Sequence, residues 1–363
     1  MDGSICLTNQ EEAEVKRIKT HLHQHPEASS EEFETTKLIK AKLTELGIEL
    51  VDIGIETGAV GVLRAKKGGP SIALRADIDA LRCTEKADVP EPSLTEGLMH
   101  ACGHDFHTAS LLGAAMILSR MREELQGDVV FVFQPAEETT NGAQRMIDHG
   151  LFEKVHIDAM FGTHNRPEIP AGSVMTKLGA LMAAKATFGI TVHGVGGHGA
   201  IPQACTDPIV CAAAIISATQ TIVSRNADPL RAAVVSICSI HGGNAHNLIP
   251  DELTMTGSIR VLDASLRDDI CKRLEEIVAF TGEAYGCKAR VTYTDKLPAL
   301  CNEKPMHEIA VRAAEKAFGA DGIVDADPCL ASEDFSLFME RVPSFFYWVG
   351  SGVPGAENPP WHN

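Results

Sequence analysis

The sequence predicts an α/β protein with a mostly parallel sheet, interrupted by a smaller α+β domain of one four-stranded antiparallel sheet and two helices. Three observations predict it. At about 150 residues per domain, 363 residues suggest two domains. Up to residue 180, short apolar runs alternate with helix-length segments, the signature of a parallel sheet whose ligands collect beyond the strand carboxyl ends. From residue 181 the pattern changes to long alternating strands in a β-α-β-β-α-β order. The expected division is therefore residues 1–180 with 297–363 as one domain and 181–296 as an insertion.

Taken in order, Val15, Ile18 and Leu22, then Leu38, Ile39, Leu43 and Leu46, have helical spacing, broken near His25-Pro26. Residues 71–81 alternate as a strand does. Residues 108–121 read as a buried helix, 127–133 as a buried strand ending at Gln134-Pro135, and 159–163 as another ending at His164, with Pro167 and Pro170 stiffening a loop beyond. In the insertion, 185–193, 232–240, 253–261 and 290–293 read as strands, with helices after Asp207-Pro208 and over 266–285.

Composition narrows the function. The 44% hydrophobic and 22% charged residues are ordinary for a globular chain. With 32 Lys plus Arg against 49 Asp plus Glu, the net charge of -17 repels a phosphate backbone, so no nucleic-acid partner is expected. The longest apolar stretch, near 208–223, is interrupted by Ser217, Thr219, Gln220 and Thr221, so no membrane partner is expected either. The first residues put acids where a signal peptide puts bases, which predicts a cytoplasmic protein with reduced cysteines. No two of the ten cysteines form a C-x-x-C pair.

Chemistry concentrates in His100-Ala-Cys102-Gly-His104-Asp105-Phe-His107. A single histidine is usually a packed residue, but three with a cysteine and an acid within eight positions predict a metal site. Gly103 lets Cys102 and His104 approach one ion, while Asp105 and His107 suit supporting or capping positions. Gln134-Pro-Ala-Glu137-Glu138 adds two adjacent carboxylates at a strand end, which repel unless a cation or proton intervenes. One can ligate and the other take a proton from water. His164 is a further ligand candidate. In the insertion, Gly194-Val-Gly196-Gly197-His198-Gly199 fits G-x-G-x-x-G, but Pro202 and Pro208 delay the helix and no acid follows, so it reads as a turn presenting His198. Asn247 and Arg260 are donors suited to a carboxylate. There is no G-x-S-x-G, P-loop or H-E-x-x-H.

The segments MHACGHDFHT, FQPAEE, GTHNRPEIPAG, GVGGHGAIPQACTDP, NLIPDE, GSIR, ASEDFS and PPWHN resemble the M20 metallopeptidases, in their amidohydrolase branch of hippurate hydrolases, N-acyl amino acid deacylases and auxin-conjugate hydrolases. The resemblance implies a zinc-peptidase-like catalytic domain, an inserted lid that also forms a homodimer, and two divalent ions per subunit (Zn, Mn, Co or Ni). It implies Cys102, His104, Glu138, His164 and His362 as ligands and Glu137 as general base. It further implies that His198 stabilises the oxyanion, that Asn247 and Arg260 hold the substrate carboxylate, and that Asp79 orients a ligand. Asp77, which stands where other branches place a ligand histidine, is not expected to ligate. The implied reaction is hydrolysis of N-acyl amino acids; a dipeptidase or aminopeptidase of the same broad family, or a metal-dependent binding protein without turnover, stand as alternatives. Arg82, Thr139, Thr140, Arg166 and Gln203 depart from the family pattern and bear on substrate choice.

Overall fold

The computed structural model describes residues 5–325 and 327–353. The chain divides into two compact units, residues 1–179 with 301–327 and 334–363, and residues 180–300 with 328–333.

The first unit opens with α1 (Asn9–Gln24), whose N-terminus is closed by a Thr8–Glu11 capping box. There follow α2 (Phe33–Glu45), β1 (Glu49–Leu50), β2 (Ala59–Leu63) and β3 (Ile72–Asp77). Next come α3 (His104–Arg120), β4 (Val129–Gln134), α4 (Gly142–Asp148), β5 (Ala159–Pro170) and β6 (Val174–Thr176). Helix α3 begins four residues before the apolar run that predicts it. Gly103, at φ 80°, supplies the left-handed residue before its first turn, and tertiary partners satisfy the polar residues of that turn. The loop expected after His164 is instead strand, continuing to Pro170 beside residues 349–352. Prolines fit there because β3 pairs with β5 only as far as Gly162, leaving no β3 partner for the missing N–H groups.

The second unit contains β7 (Ala184–His193), β8 (Gly197–His198), α5 (Pro208–Thr221), β9 (Ala233–Gly242), β10 (Leu248–Ile249), β11 (Glu252–Val261), α6 (Ala264–Ala284) and β12 (Lys288–Leu297). Its sheet, in the order β9-β11-β7-β12, is antiparallel throughout. Alternate residues of β7 point inward, so Ala186, Phe188, Ile190 and Val192 meet Ile215 of α5 and Leu274 and Val278 of α6 in one apolar core. Gly257 is required at the middle of β11, since a Cβ there would lie 2.4 Å from the Phe188 ring. Asp207 caps α5 through the Ile209 N–H (2.8 Å), and a wider helical turn carries it on to Asn226. The 19 residues 208–226 are thus long and apolar enough to cross a membrane, correcting the expectation that the stretch falls short. Cys211, Ala212, Ile215, Thr219 and Ile222 along it are buried in this unit.

The chain then returns to the first unit through α7 (Lys304–Phe318), β13 (Ile323–Asp325) and β14 (Ser344–Gly352). The eight-stranded sheet runs β1-β2-β4-β3-β5-β14-β6-β13. Its centre, β4-β3-β5-β14, is parallel, with antiparallel pairings at β1/β2, β2/β4 and β14/β6. The carboxyl ends of β3, β4 and the middle of β5 therefore deliver Asp77, Gln134 and His164 to one edge of the sheet.

Candidate metal centre

Ligand atoms of Cys102, His104 and His164 lie within 4.8 Å of one another, as do those of His104, Glu137 and Glu138. The two groups share His104 and so adjoin. Each side chain is aimed by its neighbours. His104 Nδ1 faces Asp79 Oδ1 at 3.2 Å, which leaves Nε2 buried and without a hydrogen-bond partner. Oε1 of Glu138 is likewise buried and without one. His164 donates Nδ1–H to the Asn165 carbonyl (2.7 Å), turning Nε2 into the lone-pair atom. Asp79 also accepts the N–H groups of Glu137 and Glu138, each at 3.1 Å, and the Ser29 hydroxyl at 2.6 Å.

Electrostatics describe a pocket short of positive charge. Burial, then the Glu138 and Glu137 carboxylates, push the Cys102 thiol far above its usual range. Burial opposes charge on His104, yet Asp77, Asp79 and Glu138 together carry its pKa well above normal, so a proton sits where a cation would compete. Burial, with His107 beside it, lowers His164 to about 3, keeping it a neutral ligand-type imidazole. A thiol, two imidazoles and two carboxylates, with His104 Nε2 and Glu138 Oε1 buried and unpartnered, fit divalent ions with mixed sulfur, nitrogen and oxygen preference.

The neighbouring set Asp77, His104 and His107 is of a different kind. His107 Nδ1 meets Asp77 Oδ1 at 2.6 Å, and its Nε2 accepts the Asn165 N–H at 2.8 Å. Asp77 also takes the Arg75 guanidinium at 2.8 Å. Although burial raises its pKa, His104, His107 and Arg75 hold Asp77 well below the carboxylate range. Both groups are occupied by protein partners, the arrangement of supports rather than of ligands. Asp105 accepts from His23 (2.9 Å) and Lys19 (3.3 Å) at the start of α3.

In the second unit, His198 accepts the Ala200 N–H on Nδ1 (3.1 Å), which makes Nε2–H the donor of this exposed side chain. Asn247 is exposed beside β10, whose Leu248 pairs with His198. Arg260, half-buried on β11, donates to Ser332, and burial lowers its pKa. Arg166 stacks on the Trp348 ring at 4.1 Å, and its Nε lies 3.3 Å from Glu168. Thr139 donates to the Ala136 carbonyl at 3.2 Å. His362 lies outside the described residues.

Residue-level reading missed several participants. Arg75, fully buried, ties Gln134 (2.9 Å), Asp77 and Asp334 (3.3 Å), and Asp334 also receives Gln134 Nε2 (2.7 Å) and the Ala143 N–H (3.0 Å). Asp334 belongs to the ASEDFS segment, a signal with no chemistry legible by itself. His100, by contrast already part of the cluster read from the sequence, is buried with neither ring nitrogen partnered, and burial lowers it to about 4.

Residues 73–363 match the family model of peptidase family M20/M25/M40. The chain is 42% identical over 340 residues to N-acetyl-L-cysteine deacetylase of Bacillus subtilis (strain 168), covering 94% of this chain and 81% of that one. It is 37% identical over 337 residues to IAA-amino acid hydrolase ILR1-like 4 of Arabidopsis thaliana, covering 92% and 76%. Among solved structures, a Bacillus subtilis protein described as a dinuclear metal binding peptidase from the M20 family superposes with a TM-score of 0.83 at 36% identity, covering 98% and 92%. One from methicillin resistant Staphylococcus aureus does so at 0.92 and 33%, covering 100% and 93%.

Proposed function

This chain belongs to peptidase family M20/M25/M40, and from that premise we propose a metal-dependent amidohydrolase that cleaves the amide of N-acyl amino acids. Two divalent ions are its cofactors. The observation that carries the reading is the pair of buried polar atoms without hydrogen-bond partners, His104 Nε2 and Glu138 Oε1, grouped with Cys102, His164 and a second carboxylate, Glu137. A site built only to bind has no use for that second acid.

In this reading Cys102, His104, Glu138, His164 and His362 hold the ions, which supply Lewis-acid chemistry, acidifying water and polarising an amide carbonyl. Glu137 takes a proton from the attacking water; the water oxygen bonds to the acyl carbon, the carbon–nitrogen bond breaks, and Glu137 returns the proton to the departing amine. Asp79 keeps Glu137 and Glu138 in place through their N–H groups. His198 offers Nε2–H to the oxyanion, and Arg260 with Asn247 holds the substrate carboxylate. The second unit, with Val210, Val223, Val234 and Ile240 exposed on α5, the turn after it and β9, is the proposed homodimer surface. A cytoplasmic location is part of this reading. Sulfur in the site favours zinc, manganese, cobalt or nickel over magnesium.

The test combines metal analysis with hydrolysis of acetyl, benzoyl and indole-acetyl amino acids and of free dipeptides. Metal removal should abolish N-acyl cleavage, and Glu137→Gln should retain the ions while losing roughly 10² to 10⁴ in kcat. Cleavage of dipeptides alone would move the protein to the peptidase reading, and full turnover by Glu137→Gln would remove that residue as base.

A further inference from the structure

We propose that Glu32 is a positioning residue for the Glu137–Glu138 pair, holding the turn before it in a left-handed backbone conformation through Ala136. This rests on the reading of those two carboxylates given above.

Glu32 is fully buried at the start of α2, far in sequence from the metal centre. Its Oε1 accepts two backbone N–H groups, those of Ser30 (2.9 Å) and Ala136 (2.8 Å). Ala136 is itself fully buried and has φ 53°, a region that residues other than glycine rarely adopt. The Gly142 N–H (3.1 Å) and the Thr139 hydroxyl (3.2 Å) close on the Ala136 carbonyl. On the other side of the turn, Asp79 takes the next two N–H groups, those of Glu137 and Glu138. Two buried carboxylates therefore grip three consecutive N–H groups. Ser29 bonds Asp79 and Ser30 bonds Glu32, so one short segment between α1 and α2 braces both.

Asp79 alone does not fix the turn, because it acts after the strained residue. Without Glu32, the Ala136 N–H is a buried donor with no acceptor, and Ala136 has no reason to stay left-handed. Relaxation at Ala136 rotates the peptide that follows it and swings both carboxylates. Burial raises the Glu32 pKa, so the group is held there at a cost that surrounding N–H donors offset.

The test is Glu32→Met, which keeps volume and removes both acceptor oxygens, measured by steady-state kinetics and by the visible absorption of cobalt(II)-loaded protein. The expected result is a kcat loss of about 10-fold or more with KM within about 3-fold, and a shifted cobalt spectrum as Glu138 moves. Glu32→Gln, which retains an acceptor oxygen, should stay within about 3-fold of wild type. Adding Ala136→Gly to Glu32→Met should recover at least about 3-fold in kcat, since glycine adopts positive φ without penalty. A folded Glu32→Met protein with unchanged kcat and spectrum overturns the proposal, as does a loss that Ala136→Gly leaves unrelieved. If Glu32→Met does not fold, Ala136→Val carries the test: a β-branched residue at φ 53° should lower kcat and shift the spectrum, and wild-type values in both would refute the role. The cobalt spectrum needs no substrate. Wild-type protein that binds cobalt yet cleaves no N-acyl amino acid would therefore sink the function proposed above without deciding this inference.

Discussion

The two units bury very different things. In the first, charged and polar groups crowd the sheet's edge: Arg75, Asp77, Asp79, His104, Asp105, His107, Glu137 and His164 are all buried. In the second, the sheet and its two helices enclose an aliphatic and aromatic core, with Thr219 and Glu333 the unit's buried polar residues among those described, while His198 and Asn247 stay outside. The contrast teaches that the first unit spends stability to preorganise chemistry, whereas the second is a packed platform presenting donors at its surface.

The largest test of this contrast is Arg75→Met. It strands the buried Asp77 and Asp334 charges and should destabilise the first unit by about 3–5 kcal/mol, read as an earlier unfolding transition with the second unit's transition unmoved. A loss below about 1 kcal/mol would mean that Arg75 does not hold Asp77 and Asp334 in their buried charged state. Arg260→Met, in the second unit, should leave both transitions nearly in place and raise KM for N-acyl amino acids roughly 10- to 100-fold, the cost of a charge-assisted bond to the carboxylate. An unchanged KM would remove Arg260 from the receptor. Ile215→Val removes one methyl group from the second core and should cost about 1 kcal/mol there with no change in kcat. The smallest effect concerns Glu14, lowered to about 2 by Arg17 and Lys42 at the half-buried contact of α1 with α2. Its folded pKa lies below its unfolded value, so its contribution is present above about pH 4.5 and disappears as pH falls toward 2. Denaturation midpoints should show a small acid-side difference between wild type and Glu14→Gln that salt erases.

Much of the architecture was legible because period and punctuation report on local backbone physics. The alternation over 185–193 foretold β7, and Asp207-Pro208 foretold the start of α5. The start of α3 was not legible. His104, Asp105 and His107 show no apolar period, and their helical turn exists because Asp77, Asp79 and His23 satisfy their side chains from elsewhere in the chain. Strand through Pro167 was illegible for a related reason: proline is tolerated there only because the neighbouring strand has already ended. At the metal centre, clustering singled out Cys102 and His104, the adjacency of two acids at a strand end singled out Glu137 and Glu138, and position at the end of an apolar run singled out His164. Glu32, Arg75 and Asp334 gave no such signal, because a lone acid or arginine usually lies in solvent.

Ligand chemistry, the change from alternating strand and helix to long antiparallel strands, and the acidic balance were set by the residues themselves, because each depends on side-chain identity and local spacing. Which acceptors are left without partners, which imidazole is kept neutral, and which backbone turn is forced left-handed were decided only by tertiary structure. Those outcomes depend on desolvation and on partners brought together from segments 25 to 104 residues apart, and no local pattern carries that information.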